Sequence, residues 1–162
     1  MSAVLRPGPQ LLPMTTAHLD AVMAIENAAY AFPWTRGNFV DSLASGCVAQ
    51  VLYDDGRMLG YLIAMNGVDE MHLLNITVAP PFQHQGNARH MLEALIATCR
   101  ARRAQQLWLE VRETNLRAHA IYLKRGFVQV GVRKGYYPAP QGKRENALVM
   151  SLQLLPTRLG DR

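Results

Sequence analysis

A chain of 162 residues, 49% of them hydrophobic, can bury a substantial core and suits one globular domain. No stretch approaches the ~20 apolar residues of a membrane-spanning helix, and the opening MSAVLRPGPQLLP lacks the basic start, apolar run and small-residue cleavage site of a secretory signal. The net charge of +5 is unevenly laid down: residues 1–88 hold 3 Lys/Arg against 7 Asp/Glu, whereas residues 89–162 hold 14 against 5.

In chain order, residues 11–155 are expected to form the folded domain, with residues 1–10 and 156–162 as flexible tails rich in Pro, Arg and Gly. Thr16 is placed to cap a helix running to about Tyr30, with Leu19, Val22, Met23 and Glu26 marking its turns. Thr35 is placed to cap a short second helix through Ser45. The loop Ala31-Phe32-Pro33-Trp34 joins them. Cys47 to Tyr53 and Met58 to Met65 flank Asp54-Asp55-Gly56, a hairpin signal, and Glu70 to Val78 supplies the next strand. After Gly86, apolar residues recur at Ala88, Met91, Leu92, Leu95, Ile96 and Cys99, the spacing of one buried helix face.

Leu107 to Val111 returns as a strand, Asn115 to Lys124 as a helix ended by Gly126, and two strands follow near Phe127 to Gly135 and Asn146 to Leu154. The order α-α-β-β-β-α-β-α-β-β alternates in the middle and pairs as hairpins at both ends. It implies an α/β (α+β) fold with a mixed, mostly antiparallel central sheet covered by helices on both faces. Cys47 and Cys99 sit in apolar periodic segments without C-x-x-C spacing, which reads as two buried thiols in a reducing compartment. The expectation is a soluble cytoplasmic protein.

The junction Gln83-His84-Gln85-Gly86-Asn87-Ala88 lies between a buried strand and an amphipathic helix. Backbone N–H groups of a glycine-containing turn, joined to the unpaired N–H groups and positive end of a helix, form a concave site for an anion such as a pyrophosphate. A nucleotide P-loop requires Lys and Ser/Thr after the last glycine, and here Gly86 is followed by Asn87, Ala88 and Arg89. A dinucleotide fingerprint requires three glycines, and Gly86 is the only one between Gly67 and Gly126. The remaining pattern, Gln-x-x-Gly-x-Ala, resembles the acyl-coenzyme A pyrophosphate loop of the GCN5-related N-acetyltransferases. The basic second half would favour a polyanionic cofactor, and equally an RNA-rich particle, although a solvated basic surface accounts for the charge as well.

Leu107-Trp108-Leu109-Glu110-Val111-Arg112 alternates, so that Trp108 and Glu110 share the face opposite Leu107, Leu109 and Val111. A mid-strand carboxylate either borders a cleft or pairs with a cation such as Arg112 or Arg133. Asn115 stands where a helix begins and can cap it or face the same cleft. Tyr122 lies on the helix that follows, where a core role with a satisfied hydroxyl competes with a chemical one. His119 is expected to face solvent.

Taken together, AFPW, LLNITVAP ahead of QHQGNA, LWLEVRETN, AIYLKRGF, and Arg133-Lys134-Gly135-Tyr136-Tyr137-Pro138 followed by Gly142 and Glu145-Asn146-Ala147 resemble the bacterial ribosomal-protein-alanine N-acetyltransferase (RimI) family from about Thr16 to Leu154. The resemblance implies that Ile76, Thr77 and Val78 bind the pantetheine of acetyl-CoA through their backbone, and that His84, Gln85, Gly86, Asn87, Ala88 and Arg89 bind its pyrophosphate. It further implies that Asn115 contacts the cofactor, that Glu110 is the proton acceptor and that Tyr122 is the proton donor. An α-amino group of pKa about 8 must lose a proton before it attacks a thioester, and a thiol of pKa about 8.5 must gain one as it leaves.

Asn87 replaces a commonly apolar residue and Ala88 a commoner glycine, which predicts a slightly altered cradle. The implied activity is direct acetyl transfer to the N-terminal alanine of a small-subunit ribosomal protein. Trp34, Tyr136 and Tyr137 serve as aromatic loop residues for the peptide, against simple loop packing. No metal, membrane or specific nucleic-acid partner is expected, although electrostatic association with ribosomal particles is. Two rivals are another acceptor, a lysine side chain or small amine, and a non-catalytic CoA- or ribosome-binding module.

Overall fold

The computed structural model describes residues 8–155, and residues 1–7 and 156–162, which hold most of the expected tails, lie outside the described residues. Seven strands and four helices follow in the order β1 (Gln10–Pro13), α1 (Leu19–Ala29), α2 (Arg36–Ala44), β2 (Val48–Asp54), β3 (Arg57–Asn66), β4 (Glu70–Val78), α3 (Asn87–Ala101), β5 (Gln106–Arg112), α4 (Leu116–Arg125), β6 (Val128–Pro138) and β7 (Arg144–Gln153). The strands form one mixed sheet in the order β1-β2-β3-β4-β5-β7-β6. β4 and β5 run parallel, with Glu70–Leu73 against Gln106–Leu109, while β1–β2, β5–β7 and β6–β7 are antiparallel. The α/β, mostly antiparallel class read from the sequence is the one observed.

The chain packs as two compact units, one reaching Ile63 and adding Asn75–Met91, the other made of Ala64–Leu74 and the chain from Leu92. In the first unit, Leu19, Val22, Phe39, Val51, Leu52, Tyr61, Leu62 and Ile63 are buried. Phe39 meets Tyr61 edge-on at 5.6 Å, a geometry in which a ring edge meets a ring face favourably, and lies tilted against Trp34 at 5.1 Å. Asp55 and Gly56 both take positive φ, as a two-residue hairpin between β2 and β3 demands, because that turn matches the twist of the flanking strands. Gly60 lets β3 approach β4 closely: a Cβ there would fall 2.3 Å from the Thr77 carbonyl oxygen.

In the second unit, Leu92, Leu95, Ile96 and Cys99 of α3 are buried, as are Leu107, Leu109 and Val111 of β5 and Met150 and Leu152 of β7. α4 ends where Gly126 turns left-handed at φ 108, freeing its N–H to bond the Leu123 carbonyl and the Phe127 N–H to bond that of Tyr122.

Three local expectations need correction. The first helix is entered through a 3-10 turn over Thr16–His18 whose cap is Thr15, not Thr16, because His18 Nδ1 accepts from the Thr15 N–H at 2.9 Å. β1 was not anticipated: it is four residues long, largely exposed and ends at a proline, so it carries no alternation to read. Tyr136, Tyr137 and Pro138 belong to β6 instead of forming a turn, with Tyr137 opposite Glu145 and Pro138 opposite Arg144. The reversal comes later, at Pro140–Gly142.

Candidate active site

In the first unit, β4 ends at Val78, a short 3-10 turn spans Pro80–Phe82, and α3 starts at Asn87. Between them His84 (φ 66) and Gly86 (φ 83) are both left-handed. A Cβ on Gly86 would meet nothing within 4 Å, so the glycine is required by its backbone conformation and not by crowding. The loop is tied back on itself. Gln83 Nε2 donates to the Val78 carbonyl at 3.1 Å and Asn87 Nδ2 to the Phe82 carbonyl at 2.9 Å.

Asn87 is 8% exposed, so its amide serves as an internal strut, the role in which this sequence departs from an apolar residue. The first intrahelical bond runs from the His90 N–H to the Gly86 carbonyl, and the N–H groups of Asn87, Ala88 and Arg89 precede it. N–H groups of a first helical turn have no intrahelical acceptor and carry the positive end of the helix dipole. With the exposed Arg89 beside them, they present a donor set suited to a phosphate-bearing ligand.

The same unit holds a buried polar network that the sequence did not suggest. Glu26, 1% exposed on α1, accepts at Oε1 from Tyr61 Oη at 2.5 Å and Asn75 Nδ2 at 3.1 Å, and at Oε2 from the Trp34 N–H at 2.9 Å. Thr77 Oγ1 donates to Asn75 Oδ1 at 2.6 Å and lies 2.7 Å from Tyr30 Oη, whose hydroxyl also reaches the Ile76 carbonyl at 3.3 Å. Burial pushes the Tyr30 phenol up to about 12, and burial and the Glu26 carboxylate push the Tyr61 phenol further in the same direction. Ile76 and Thr77 are thereby held by Tyr30, just past the end of α1, and Thr77 and Val78 by the tight Gly60 approach. Trp34 is half-buried, held through its own N–H and by its ring on Phe39.

In the second unit, Glu110 projects from β5 with its side chain 7% exposed. His72 Nε2 lies 2.6 Å from Oε2 and Arg133 Nε 3.3 Å from Oε1. Of the two cations considered from the sequence, Arg133 is the one that pairs. Arg112 instead donates to the Pro138 carbonyl at 2.8 Å and to Glu145 at 3.4 Å, with its guanidinium 4.5 Å from the Tyr137 ring centre. Glu145 also accepts from Thr114 Oγ1, the contact that does most to hold its carboxyl below the usual range.

Tyr137 is half-buried and its phenol is raised by burial first and by the Glu110 charge second, while Tyr136 is exposed, with Arg133 over its ring at 5.6 Å. Tyr122 is 8% exposed on α4 and packs on Phe127 at 5.5 Å. Asn115 caps α4, its Oδ1 accepting from the Ala118 N–H at 3.2 Å, and His119 is half-buried where an exposed ring was expected. The second unit therefore brings together Glu110, Arg133, Tyr136 and Tyr137 around one carboxylate.

Cys99 is buried as expected but Cys47 only half-buried; burial raises both thiols, that of Cys99 to about 11, and makes them poor nucleophiles. Among the described residues no group of three or more His, Cys, Asp or Glu is placed to hold a metal, and no helix is long and apolar enough to cross a membrane.

Residues 19–127 match the Acetyltransferase (GNAT) family. The chain belongs to that family. As a GNAT acetyltransferase it is an acyltransferase, and its relatives narrow the kinship. It is 39% identical to the [ribosomal protein bS18]-alanine N-acetyltransferase of Haemophilus ducreyi over 83% of this chain and 93% of that one. It is 38% identical to the protein of the same name from Escherichia coli over 87% of this chain and 95% of that one. The crystal structure of the Escherichia coli ribosomal-protein-S18-alanine N-acetyltransferase superposes with a TM-score of 0.86 at 35% identity, covering 93% of this chain and 97% of that one. The seven-stranded sheet with four helices is the GNAT fold.

Two polar neighbourhoods of this acetyltransferase escaped sequence reasoning. His72 shares a strand face with Glu70, two residues before it, and only the parallel register of His72 with Trp108 sets it beside Glu110. Glu26 occupies an apolar-stripe position of α1, a signal that a carboxylate there is buried, but its partners lie as far as 49 residues away.

Proposed function

We propose that this acetyltransferase uses acetyl-CoA to acetylate the N-terminal alanine of a small-subunit ribosomal protein by direct transfer. What carries the reading is identity of 38–39% over more than four-fifths of the chain to enzymes named for alanine of ribosomal protein bS18. Bound acetyl-CoA supplies an acetyl thioester as the electrophile. Its residues on this chain are the backbone of Ile76, Thr77 and Val78 for pantetheine, the loop His84, Gln85, Gly86, Asn87, Ala88 and Arg89 for pyrophosphate, and Asn115. The fit is chemical: left-handed His84 and Gly86 open a concave turn onto first-turn N–H groups and an exposed guanidinium.

Glu110 accepts the proton from the peptide's α-ammonium, directly or through water. A carboxylate has about four lone-pair sites, so the contacts from His72 and Arg133 leave room for a further donor. Tyr122 supplies a proton from its hydroxyl to the departing thiolate. Trp34, Tyr136 and Tyr137 hold the peptide, and the Glu26 network fixes the loop that bears Trp34. The enzyme works among ribosomal proteins in the cytoplasm, where its basic second half favours encounter with RNA-rich particles.

The test is a panel of acceptors under one assay of CoA release. Peptides beginning with Ala should be acetylated at least about tenfold more efficiently in kcat/KM than the same peptides with a blocked N-terminus and a free lysine, or than small amines. Equal use of lysine or a small amine would move the enzyme to another acceptor class. CoA binding without release on any acceptor would make it a binding module.

A further inference from the structure

The Glu110 carboxylate is gripped by His72, which takes no part of its own in the proposed proton transfers. His72 Nε2 stands 2.6 Å from Glu110 Oε2, and because a carboxylate only accepts, Nε2 carries the hydrogen and donates it. The imidazole has little freedom to turn away. It stacks on Trp108 with ring centres 3.6 Å apart and planes 10° from parallel, and Trp108 is its direct register partner across the parallel β4–β5 pair.

Trp108 and Glu110 are two residues apart on one strand and so project from the same face. One histidine therefore lies flat on the first and points its edge at the second. The stack sets the plane of the ring, and the plane aims the donor. On the other oxygen, Arg133 Nε at 3.3 Å belongs to a side chain that is half exposed, so it is the looser of the two holds.

We propose that His72 is a positioning residue for the proton-accepting step: by donating from Nε2 to Oε2 while stacked on Trp108, it fixes the plane of the Glu110 carboxylate toward the substrate amine. The proposal rests on Glu110 being the proton acceptor. Without His72, one oxygen loses its charge-assisted hydrogen bond and the carboxylate swings toward Arg133, so the loss falls on the proton-transfer step and not on cofactor binding.

His72→Phe keeps the ring stack and removes the donor, whereas His72→Gln places an amide N–H near the position of Nε2 without an imidazole. With an Ala-starting peptide, His72→Phe should lower kcat by about tenfold and leave KM for acetyl-CoA within about twofold, while His72→Gln should recover to within about threefold of wild type. In a Glu110→Gln background, His72→Phe should cost less than about twofold more, because the group it positions is already gone.

If His72→Phe retains wild-type kcat while Glu110→Gln is impaired, the positioning role is overturned and the Glu110 reading stands. An equal loss from His72→Phe in both backgrounds also overturns it. If Glu110→Gln itself keeps the wild-type rate, the Glu110 reading is what fails, and His72 goes with it. Should His72→Phe not fold, His72→Met, which also lacks a donor, takes its place in the same comparison.

Discussion

Replacing Glu26 by alanine tests whether the buried polar network is a structural keystone of the first unit. The wild-type carboxylate, 1% exposed, accepts from three donors on three different segments: the Tyr61 hydroxyl, the Asn75 amide and the Trp34 backbone N–H. Truncation leaves all three without that acceptor, with Tyr61 fully buried and Asn75 and Trp34 half-buried. A buried donor left unpaired costs about 1–3 kcal/mol. Asn75 retains a partner through its Oδ1 in Thr77, so the three losses are not fully additive, and about 3–5 kcal/mol is expected, including the small cavity left behind.

Glu26→Gln is the finer probe, since one acceptor oxygen becomes an amide NH2 donor that faces another donor, and about 1–3 kcal/mol should be lost. Guanidinium unfolding followed by circular dichroism measures both, and hydrogen exchange at the Trp34 amide should accelerate in each. A cost below about 1 kcal/mol for Glu26→Ala, with unchanged exchange at Trp34, would refute the reasoning.

The Gly60 approach and the Tyr30 phenol give two further expectations. Gly60→Ala would drive a methyl to 2.3 Å from the Thr77 carbonyl oxygen, so β4 must shift at Ile76–Val78; calorimetry should show acetyl-CoA affinity reduced by at least about tenfold, and an unchanged affinity would dissociate that backbone from the cofactor. Tyr30 keeps its proton to about 12 in the folded chain but loses it near 10 when unfolded, so between those values the unfolded state is the one that has released a proton, and stability should fall as pH rises through the window. Tyr30→Phe should flatten that alkaline decline in urea melts between pH 9 and 12, and an unaltered slope would contradict it.

What could be read from the sequence was whatever a few neighbouring residues decide. Asp55-Gly56 marks its own turn because both residues take positive φ, and Gly126 ends α4 for the same kind of reason. Glu110 stood out because a carboxylate in the middle of an alternating strand demands a partner. The partner itself was only half legible. Arg133 was one of two cations considered, but His72 lies 38 residues away and becomes a neighbour only through the β4–β5 register. Glu26 was visible as one mark on a helical stripe and not as the hub that β3, β4 and the Trp34 loop converge on. Tyr136 and Tyr137 read as a turn because of the proline and glycine around them, whereas pairing with β7 carries β6 through to Pro138 across two irregularities in register.

The claim that this chain is a catalyst working through Glu110 and Tyr122 is tested most directly by single-turnover acetyl transfer to an Ala-starting peptide across pH 6 to 9. Glu110→Gln should lower the rate by about 10²-fold or more at neutral pH with acetyl-CoA affinity unchanged, and it should recover partly as rising pH deprotonates the peptide amine without help. Tyr122→Phe should lose rate while keeping the ring packing on Phe127 and the fold. Wild-type rates in both variants across the whole range would contradict the assignment.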